Sequence, residues 1–357
     1  MKDVNYNVLG VMSGTSLDGI DLARISFRKQ DEKWYFEIHE NDTTSYDENW
    51  LYKLKNAVDY TPEQLEQLNK DYTALLGSVI NSFIAKNNIT GLDAVCSHGH
   101  TILHQPQNGF TLQIGNRKEL ASLVQNKVVC DFRVQDVELG GQGAPLVPIG
   151  DRLLFSDYAY CLNLGGFSNV SFEEDGNRIA FDISPVNTVL NHYASILGYD
   201  YDDRGAIASV ANNIPALLAD LNNLDFYKRG YPKSLGFEYV KTVVLPLMER
   251  YNESPQDKLR TFTEHVAIQI ANVISKRQGK SLLITGGGAY NDFLIDTMKS
   301  LLPETAITIP NDTIIQYKEA LIFGLLGVLK LRREVNVLKS VTGAREDHSS
   351  GKIFDFK

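Results

Sequence analysis

The sequence of 357 residues has few cysteines and no cluster of basic residues. Its three cysteines, Cys96, Cys130 and Cys161, lie far apart inside apolar runs, which favours buried thiols over a disulfide framework. No more than two basic residues stand side by side, as at Arg332 and Arg333, and the net charge is -9. Nucleic-acid and membrane-surface binding both need clustered Lys and Arg, so the composition argues against these roles.

Long apolar runs are also missing. No stretch approaches the roughly 18 apolar residues of a membrane span, and the N-terminus enters a strand-like run without the apolar core of a signal peptide. We therefore expect a cytoplasmic protein. Hydrophobic residues make up 43% and charged residues 22% of the chain, as in ordinary globular proteins. At roughly 100 to 200 residues per domain, the length predicts two domains and excludes a single small binding module.

The order of predicted elements repeats once along the chain: three strands, then helix, strand, helix and strand. In the first half we predict strands at 7–12, 22–27, 34–39, 92–96, 111–114 and 128–132, with one helix capped by Thr61 and another at 118–124. In the second half we predict strands at 159–164, 167–172, 178–183, 281–285 and 306–309, with one helix capped by Ser254 and a last helix at 316–331. This order predicts an α/β protein with two mixed-sheet domains and a site in the cleft between them.

Four glycine-rich turns follow apolar strands, at residues 13–19, 140–143, 165–166 and 286–288. Glycines let a backbone approach a ligand closely, and free N–H groups in such turns bind phosphate oxygens. A single turn of this kind more often serves the hairpin alone. None is a Walker loop, because Ile274 stands where the first glycine before Gly279-Lys280-Ser281 is required, and the first turn enters a strand, unlike a dinucleotide-binding turn. Two matching hairpin turns, a third glycine turn before a helix and a carboxylate on a strand suggest a phosphotransferase of the actin, sugar-kinase and heat-shock chaperone superfamily.

Eight motifs in order make the sequence resemble the anhydro-N-acetylmuramic acid kinases over nearly its whole length. They are GVMSGTSLDGID at 10–21, SHGHTI at 97–102, DFR at 131–133, GGQGAP at 140–145, NLGGFSN at 163–169, PKS at 232–234, GGGAYN at 286–291 and KEA at 318–320. The resemblance implies two ribonuclease-H-like domains with five-stranded sheets flanked by helices. We expect residues 1–150 plus about 332–357 in the first domain and 151–331 in the second. The family precedent favours a homodimer.

The resemblance implies a reaction in peptidoglycan recycling. ATP-dependent cleavage of the 1,6-anhydro bridge would yield N-acetylmuramic acid 6-phosphate. The family's base falls on Asp182, which would activate a water as a general base. The alternative is that Asp182 only caps a helix starting near Pro185.

The resemblance also implies the residues that hold ATP and Mg²⁺. The ATP-binding residues would be Gly14, Thr15, Ser16, Leu17, Asp18, Gly19, Asp21, Gly165, Gly166, Asn169, Gly286, Gly287, Gly288 and Asn291. Asp18 and Asp21 would hold Mg²⁺ through water, because magnesium usually keeps part of its hydration shell. Asp18 as a simple turn residue is the alternative.

A third group of residues would bind the small-molecule sugar: His98, Thr101, Arg133 and Asn187. Arg133 suits the lactyl carboxylate, since a guanidinium can bind it in a bidentate way, and its alternative is a surface ion pair. Glu319, expected at the start of the last helix, would orient the sugar or its water. A solvated first-turn glutamate is the alternative there.

Four positions depart from the family pattern. Ile183, Ser184 and Val186 replace a threonine and two glycines of the catalytic turn, and His100 replaces a glutamine. Either the turn is rebuilt around Asp182, or the protein is an altered-substrate or non-catalytic sugar- or nucleotide-binding relative. A remote alternative is a metal-dependent hydrolase using His98 and His100. The role of the tail at 346–357 stays open.

Overall fold

The computed structural model describes residues 4–14, 16–276 and 279–356. The chain divides into two compact units, which we call the first unit, Met1–Leu154 with Tyr317–Lys357, and the second unit, Phe155–Gln316. The second unit is thus inserted into the sequence of the first. This division differs from the predicted one mainly at residues 317–331, which group with the first unit.

Twelve strands are present in the described residues. They are β1 Val4–Ser13, β2 Ile20–Gln30, β3 Lys33–Thr44, β4 Ala94–Gln105, β5 Phe110–Ile114, β6 Val128–Cys130, β7 Tyr160–Leu164, β8 Phe167–Glu174, β9 Asn177–Pro185, β10 Ser281–Thr285, β11 Ala306–Thr308 and β12 Lys352–Phe354. Most coincide with predicted strands and extend beyond them by a few residues. Strand β12 at Lys352–Phe354 lies within the last twelve residues, where no strand was predicted.

The helices surround these strands. They are α1 Glu48–Asn56, α2 Pro62–Lys86, α3 Glu119–Val124, α4 Val134–Glu138, α5 Pro148–Leu154, α6 Asn187–Ile196, α7 Ala206–Val210, α8 Pro215–Asn222, α9 Asp225–Lys228, α10 Phe237–Tyr239, α11 Leu245–Met248, α12 Pro255–Ile274, α13 Asp292–Leu301, α14 Asp312–Leu331 and α15 Lys339–Thr342. Short 3₁₀ turns occur at Ala57–Asp59, Pro106–Asn108, Asp203–Gly205 and Gly287–Tyr290, and a π turn at Val240–Val244. Across the described ranges, no helix combines the length and apolar character needed to cross a bilayer.

The same strand order appears in both units and confirms the predicted ribonuclease-H-like α/β class. In the first sheet the order is β12-β6-β4-β1-β2-β3, with β5 paired to β4, and in the second it is β11-β10-β7-β8-β9. In each unit the first three strands along the chain pair in antiparallel fashion. Strand β4 then pairs in parallel with β1 and with β6 in the first unit, and β10 pairs in parallel with β7 and with β11 in the second. Counted over the described residues, the prediction of five strands holds for the second sheet but is wrong for the first, which has seven. The two extra strands are β5, a hairpin partner of the long β4, and β12, which covers the edge at β6.

Local signals in the sequence account for the main helices. Thr61 and Gln64 form the predicted capping box: the Gln64 N–H donates to Thr61 Oγ1 at 3.3 Å, and the Thr61 N–H donates to Gln64 Oε1 at 2.8 Å. Ser254 likewise caps α12 by accepting the Asp257 N–H. The apolar faces of α2 and α12 pack into the cores of the first and second units respectively. All three cysteines are free and buried, as predicted.

A close backbone contact fixes α14 against β1 in the first unit. A Cβ atom at Gly10 would lie 2.1 Å from the Ala320 carbonyl oxygen, so only glycine permits this packing. Beside Ala320, the buried Lys318 ammonium lies 2.7 Å from a carboxylate oxygen of Asp151 on α5. These two anchors determine where the intervening Glu319 is presented.

Candidate active site

The first glycine turn joins β1 to β2 and is shaped by two unusual backbone conformations. Leu17 has φ 64° and donates its N–H to the Gly14 carbonyl at 3.2 Å. Gly19 has φ 153°, and a Cβ there would lie 2.6 Å from the Thr44 carbonyl oxygen, so glycine is required. Ser16 and Asp18 are exposed on this turn. The predicted ligand Thr15 lies outside the described residues.

Two carboxylates, Asp18 and Asp21, flank the end of this turn. Asp21 accepts a hydrogen bond from Thr43 Oγ1 at 2.7 Å. Burial raises the pKa of Asp21, the Thr43 hydrogen bond opposes that shift, and the negative charge of Asp18 adds to it. Like charges repel, so a cation beside this pair would be stabilised. The donor set of two carboxylates fits a hydrated Mg²⁺.

A buried polar chain supports the turn from below. Ser13 Oγ lies 2.6 Å from the Tyr46 hydroxyl and 2.8 Å from His100 Nδ1. The Tyr46 hydroxyl in turn lies 2.6 Å from that of Tyr72. Burial lowers the pKa of His100 to about 4, so the imidazole is neutral. His100, where the family pattern has glutamine, therefore fixes the start of the turn through Ser13.

Arg133 and His98 form a second polar group in the first unit. Arg133 Nε donates to His98 Nε2 at 2.8 Å, and its Nη1 donates to the Gly143 carbonyl at 2.6 Å. His98 Nε2 is thus an acceptor, and Nδ1–H donates to the Gly99 carbonyl at 2.9 Å. Burial and the Arg133 charge hold the pKa of His98 well below its usual range. The pair is a neutral imidazole that orients a guanidinium.

The half-buried Arg133 still has donors to offer. Its Nη2 has no hydrogen-bond partner among the described residues, so Arg133 is not in a surface ion pair. Burial lowers the pKa of Arg133 to about 10, while Glu319 and Asp136 oppose that shift, and the group stays cationic. Free guanidinium N–H groups are well shaped for a carboxylate.

Glu319 does not start the last helix, and that prediction is wrong. Helix α14 begins at Asp312, so Glu319 lies in its third turn, and the first-turn alternative is also wrong. Desolvation raises the pKa of Glu319, and the positive charge of Arg133 opposes the shift. The helix extends further back than predicted because residues 312–315 continue its pattern.

The third predicted sugar ligand of the first unit, Thr101, lies half-buried on β4. It is directly opposite Gln113 of β5. The long β4 therefore carries both His98 and Thr101 toward one end of the sheet.

In the second unit, the glycine turn at Gly165 and Gly166 holds the start of α6. Gly165 N–H donates across the turn to the Phe167 carbonyl at 3.1 Å. The carbonyl of Gly166 accepts the Val186 N–H at 2.8 Å, and that of Gly165 accepts the Asn187 N–H at 3.3 Å. The carbonyls are therefore used internally. Gly166 itself is exposed, and its N–H is the donor this turn can offer to a phosphate.

Asp182 lies on β9 and caps no helix. Helix α6 begins at Asn187, and no side chain in the described part of the chain caps it, so the capping alternative is wrong. Asp182 Oδ2 accepts the Leu235 N–H at 2.8 Å, and the Asp182 N–H donates to the Lys233 carbonyl at 3.2 Å. Burial raises the pKa of Asp182, whereas the Leu235 hydrogen bond and the Lys233 charge oppose that shift. The carboxylate is half-buried, and Oδ1 has no partner among the described residues.

Asp182 belongs to a polar row across three antiparallel strands. Asn163 of β7 is opposite Asn169 of β8, which is opposite Asp182 of β9. Directly opposed residues point to the same face of a sheet. The row therefore places two amides beside one carboxylate, next to the glycine turn. Asn163 is absent from the predicted site residues, although its motif was recognised.

Lys233 is a second residue absent from the predicted site. Its ammonium lies 4.4 Å from the ring centroid of Phe226 and 5.7 Å from that of Phe181, within cation–π range of both. Burial lowers the pKa of Lys233, and the charge of Asp182 opposes that shift. The PKS motif at 232–234 was the sequence signal that could have identified Lys233. The contacts of this residue with Asp182 now give the motif a structural reason.

The third glycine turn contains two glycines required by packing and one that leaves open space. Gly286 has φ 83°, and a Cβ there would lie 2.6 Å from Asn163 Oδ1. A Cβ at Gly288 would lie 2.8 Å from the Leu164 Cβ, whereas at Gly287 the nearest atom is 3.9 Å away. Asn291, a predicted ATP ligand, caps α13 by accepting the Leu294 N–H at 3.0 Å. Its amide oxygen is thus engaged within the fold.

Comparison with known proteins decides the family. A family model described as "Anhydro-N-acetylmuramic acid kinase" matches residues 6–356. The chain belongs to the anhydro-N-acetylmuramic acid kinase family. Proteins with that name from Mannheimia succiniciproducens and Francisella tularensis subsp. novicida are 34% and 33% identical to it. The first alignment covers 97% of this chain and 98% of that relative, and the second covers 99% of each.

Solved structures similar to the chain extend over most of its length. The (R)-2-hydroxyglutaryl-CoA dehydratase component A of Acidaminococcus fermentans gives a TM-score of 0.46 at 14% identity, covering 92% of this chain and 99% of that one. A ROK family glucokinase from Streptomyces griseus, in complex with glucose and AMPPNP, gives a TM-score of 0.42 at 11% identity, covering 90% and 99%.

The departures from the kinase family's catalytic turn are accommodated by burial. Val186 has φ -131°, so the turn does not need the left-handed conformation that favours glycine, and the valine side chain lies in the core. Ile183 is buried as well. Ser184 Oγ lies 3.0 Å from Ser168 Oγ, joining β9 to β8. The turn is thus built with packed side chains around Asp182.

The metal-hydrolase alternative does not fit the histidines. Both ring nitrogens of His98 are hydrogen-bonded, and His100 is tied to Ser13. Across residues 4–14, 16–276 and 279–356, no group of three or more His, Cys, Asp or Glu could hold a metal ion. The SHGHTI motif instead orients Arg133 and the first glycine turn.

Proposed function

We propose that this protein uses ATP to open 1,6-anhydro-N-acetylmuramic acid hydrolytically and to form N-acetylmuramic acid 6-phosphate. Membership of the kinase family supports the enzyme class, a phosphotransferase acting on a sugar hydroxyl. One observation carries the proposal. Asp182 has one carboxylate oxygen held by the Leu235 amide and the other without a partner among the described residues. A fixed carboxylate with a free oxygen is what a general base requires.

In the proposed reaction, Asp182 removes a proton from a water as that water attacks the anomeric carbon C1. The bond between C1 and the bridging oxygen O6 breaks, and its electron pair stays on O6. O6 attacks the γ-phosphorus, and ADP leaves with the electrons of the broken P–O bond. The water oxygen ends on C1, the phosphoryl group on O6, and the proton passes from Asp182 to solvent.

The proposed nucleotide contacts come from the three glycine turns. Free amides of residues 14–19 and of Gly166 would donate to the β- and γ-phosphates, with Asn169 beside them. Adenosine would lie against the open backbone at Gly287. The capped side chain of Asn291 would then act by holding the start of α13, where the turn at 286–288 leads.

Mg²⁺ is proposed at the Asp18 and Asp21 pair. Their mutual repulsion and the preference of magnesium for oxygen ligands support this assignment. When bound, Mg²⁺ would neutralise charge on the phosphates. Asp18 and Asp21 themselves would bind the water molecules around the ion at the end of the first turn.

The proposed sugar contacts are His98, Thr101, Arg133, Glu319 and Asn187. Arg133, held by His98 and Gly143, would bind the lactyl carboxylate with its free Nη2 donors. Glu319 would accept a hydrogen bond from a sugar hydroxyl or from the nucleophilic water. The start of α6 at Asn187, whose side-chain amide donates to the Leu164 carbonyl at 3.4 Å, lies next to the second glycine turn. A cytoplasmic location and a homodimer stay predictions.

The test is ADP release that depends on the anhydro sugar. Asp182→Asn should abolish turnover while ATP binding, measured by calorimetry, persists. Asp175→Asn, at the exposed hairpin turn of the same strand pair, is the matched control and should keep full activity. In heavy-oxygen water the label should enter the sugar and not the phosphate. Sugar-dependent ADP release from Asp182→Asn at the normal rate, or label in the phosphate, would overturn the proposal. Absence of turnover in the unaltered protein would favour a non-catalytic relative.

A further inference from the structure

The C-terminal segment at residues 336–354, which we call the brace, wraps around the loop that carries Arg133. Its last part forms β12, which pairs with β6 just before Arg133. Ser350 Oγ donates to the carbonyl of Phe132, the neighbour of Arg133, at 2.7 Å. Asn336, fully buried, receives the Ser350 N–H on its Oδ1 at 2.6 Å. The brace is therefore tied to this loop by buried polar contacts.

Asp136 is the central polar residue of this contact. Its side chain is 0% exposed, and Oδ1 accepts a hydrogen bond from Thr342 Oγ1 of the brace at 2.7 Å. Its Oδ2 accepts the Gly143 N–H at 2.6 Å. His348 Nε2 lies 3.6 Å from Oδ1. A Cβ at Gly141 would lie 2.2 Å from Oδ2, so the glycine motif is shaped around this carboxylate.

Gly143 connects Asp136 to Arg133. Its N–H binds Asp136, and its carbonyl accepts Arg133 Nη1. A continuous series of hydrogen bonds therefore runs from Thr342 through Asp136 and Gly143 to Arg133. Two backbone bonds hold the same register, from Gln142 N–H to the Thr342 carbonyl at 2.8 Å and from the Arg345 N–H to the Leu139 carbonyl at 3.1 Å.

We propose that Thr342 and Asp136 are positioning residues, which hold the Gly143 carbonyl where it aims the Arg133 guanidinium at the substrate carboxylate. The inference rests on the proposed role of Arg133 in sugar binding. A buried carboxylate that loses one of its donors is left with an unsatisfied oxygen and shifts to recover a partner. Such a shift would move Gly143 and with it Arg133. The brace would then contribute to substrate affinity without touching the sugar.

The direct test is Thr342→Val, which removes the donor and preserves the shape of the side chain. We expect the KM for the anhydro sugar to rise about tenfold, roughly the effect of one lost hydrogen bond. The kcat and the KM for ATP should stay unchanged, because the glycine turns are untouched. Thr342→Ser, which keeps the hydroxyl, should restore the KM. A normal KM in Thr342→Val would overturn the inference.

A double-mutant cycle separates positioning from general destabilisation. In an Arg133→Ala background, Thr342→Val should raise the KM no further, because the residue through which it acts is gone. If Thr342→Val still raises the KM for the sugar in that background, the proposed role of the brace is wrong, but the role of Arg133 is unaffected. A normal KM in Arg133→Ala alone overturns the proposed sugar contact itself, and with it this inference.

Folding is checked by thermal unfolding of each variant. Thr263→Val is the matched control: it removes the hydroxyl of a buried threonine that donates to the Leu259 carbonyl within α12, and it should leave the sugar KM unchanged. If Thr342→Val does not fold, Thr342→Ala carries the same cycle. An equal rise in KM for Thr263→Val would also overturn the inference.

Discussion

Asn169 on β8 lies directly opposite Asp182 on β9, and the two side chains share one face of the second unit's sheet. Directly opposed side chains in an antiparallel pair lie close enough to interact, with Cβ atoms roughly 5 Å apart. A neutral amide at this position can hydrogen-bond to a carboxylate without adding charge. The pairing therefore keeps a single negative charge at the proposed base.

Asn169→Asp places a second carboxylate beside this base. Like charges raise a carboxyl pKa, so the pKa of Asp182 should rise further. Because the base must be ionised, activity is lost as the pH falls through that pKa. We expect the acid limb of the kcat profile to move up by about one pH unit. Asn177→Asp, at the exposed end of the same hairpin, is the control. An unmoved acid limb in Asn169→Asp would contradict this assignment.

Lys233→Met removes the positive charge that opposes the raised pKa of Asp182. Without that charge the pKa of Asp182 rises, and the acid limb should again move to higher pH. Lys233→Arg keeps the charge and should retain the original profile. The measurement is the pH dependence of ADP release for all three proteins. A downward shift of the limb in Lys233→Met has the wrong sign and would refute the electrostatic role of Lys233.

Gly286→Ala and Gly287→Ala should fail in different ways. At Gly286 the methyl group meets Asn163 and the end of β7 at a positive φ, so we expect a loss of about 2 kcal/mol or more in stability. At Gly287 there is room, so the Tm should be unchanged while the KM for ATP rises several-fold. Thermal unfolding and ATP titration decide. Equal stability of the two variants, or normal ATP affinity in Gly287→Ala, would contradict this account.

His100 makes stability depend on pH. Burial lowers its folded-state pKa from 6.5 to about 4. Between these values the unfolded chain binds a proton at this histidine and the folded protein does not. The free energy of unfolding therefore falls as the pH falls through this window. Each such histidine costs about 1.4 kcal/mol per pH unit there. His265, whose pKa burial lowers to about 3, contributes in the same direction.

His100→Gln should remove the contribution of one titrating group to this pH dependence. The free energy of unfolding, measured with urea between pH 5 and pH 7.5, should change less steeply with pH, by about 1.4 kcal/mol per pH unit at the acid end. His265→Gln should reduce the slope by the same amount in the second unit. If His100→Gln retains the full slope of the unaltered protein, His100 is not the buried neutral group described above.

Much of the fold could be predicted because its signals are local. The capping box at Thr61, the strand periodicity and the glycine turns each depend on a few neighbouring residues. Strand β12 illustrates the limit. A three-residue strand such as β12 has no period to detect, and only its pairing with β6, more than 200 residues away in sequence, makes it a strand.

The candidate site shows the same limit. Asp182 could be selected from its motif, but its orientation depends on the Leu235 amide, 53 residues further along the chain. Lys233 escaped prediction because its role is defined by contacts with rings of Phe226 and Phe181, which no spacing reveals. Glu319 was expected at a helix start because the last helix was predicted to begin near Gln316. The helix begins at Asp312 instead, where Asn311 Oδ1 accepts the Ile314 N–H at 3.0 Å.

The insertion of the second unit into the first has a consequence for biosynthesis. Residues 155–316 form one uninterrupted stretch, whereas the sheet edge at β6 waits for Lys352–Phe354. On a translating ribosome, the inserted half can therefore mature while the amino-terminal half is still incomplete. We expect the first unit to reach its native form only after Lys352–Phe354 have been synthesised.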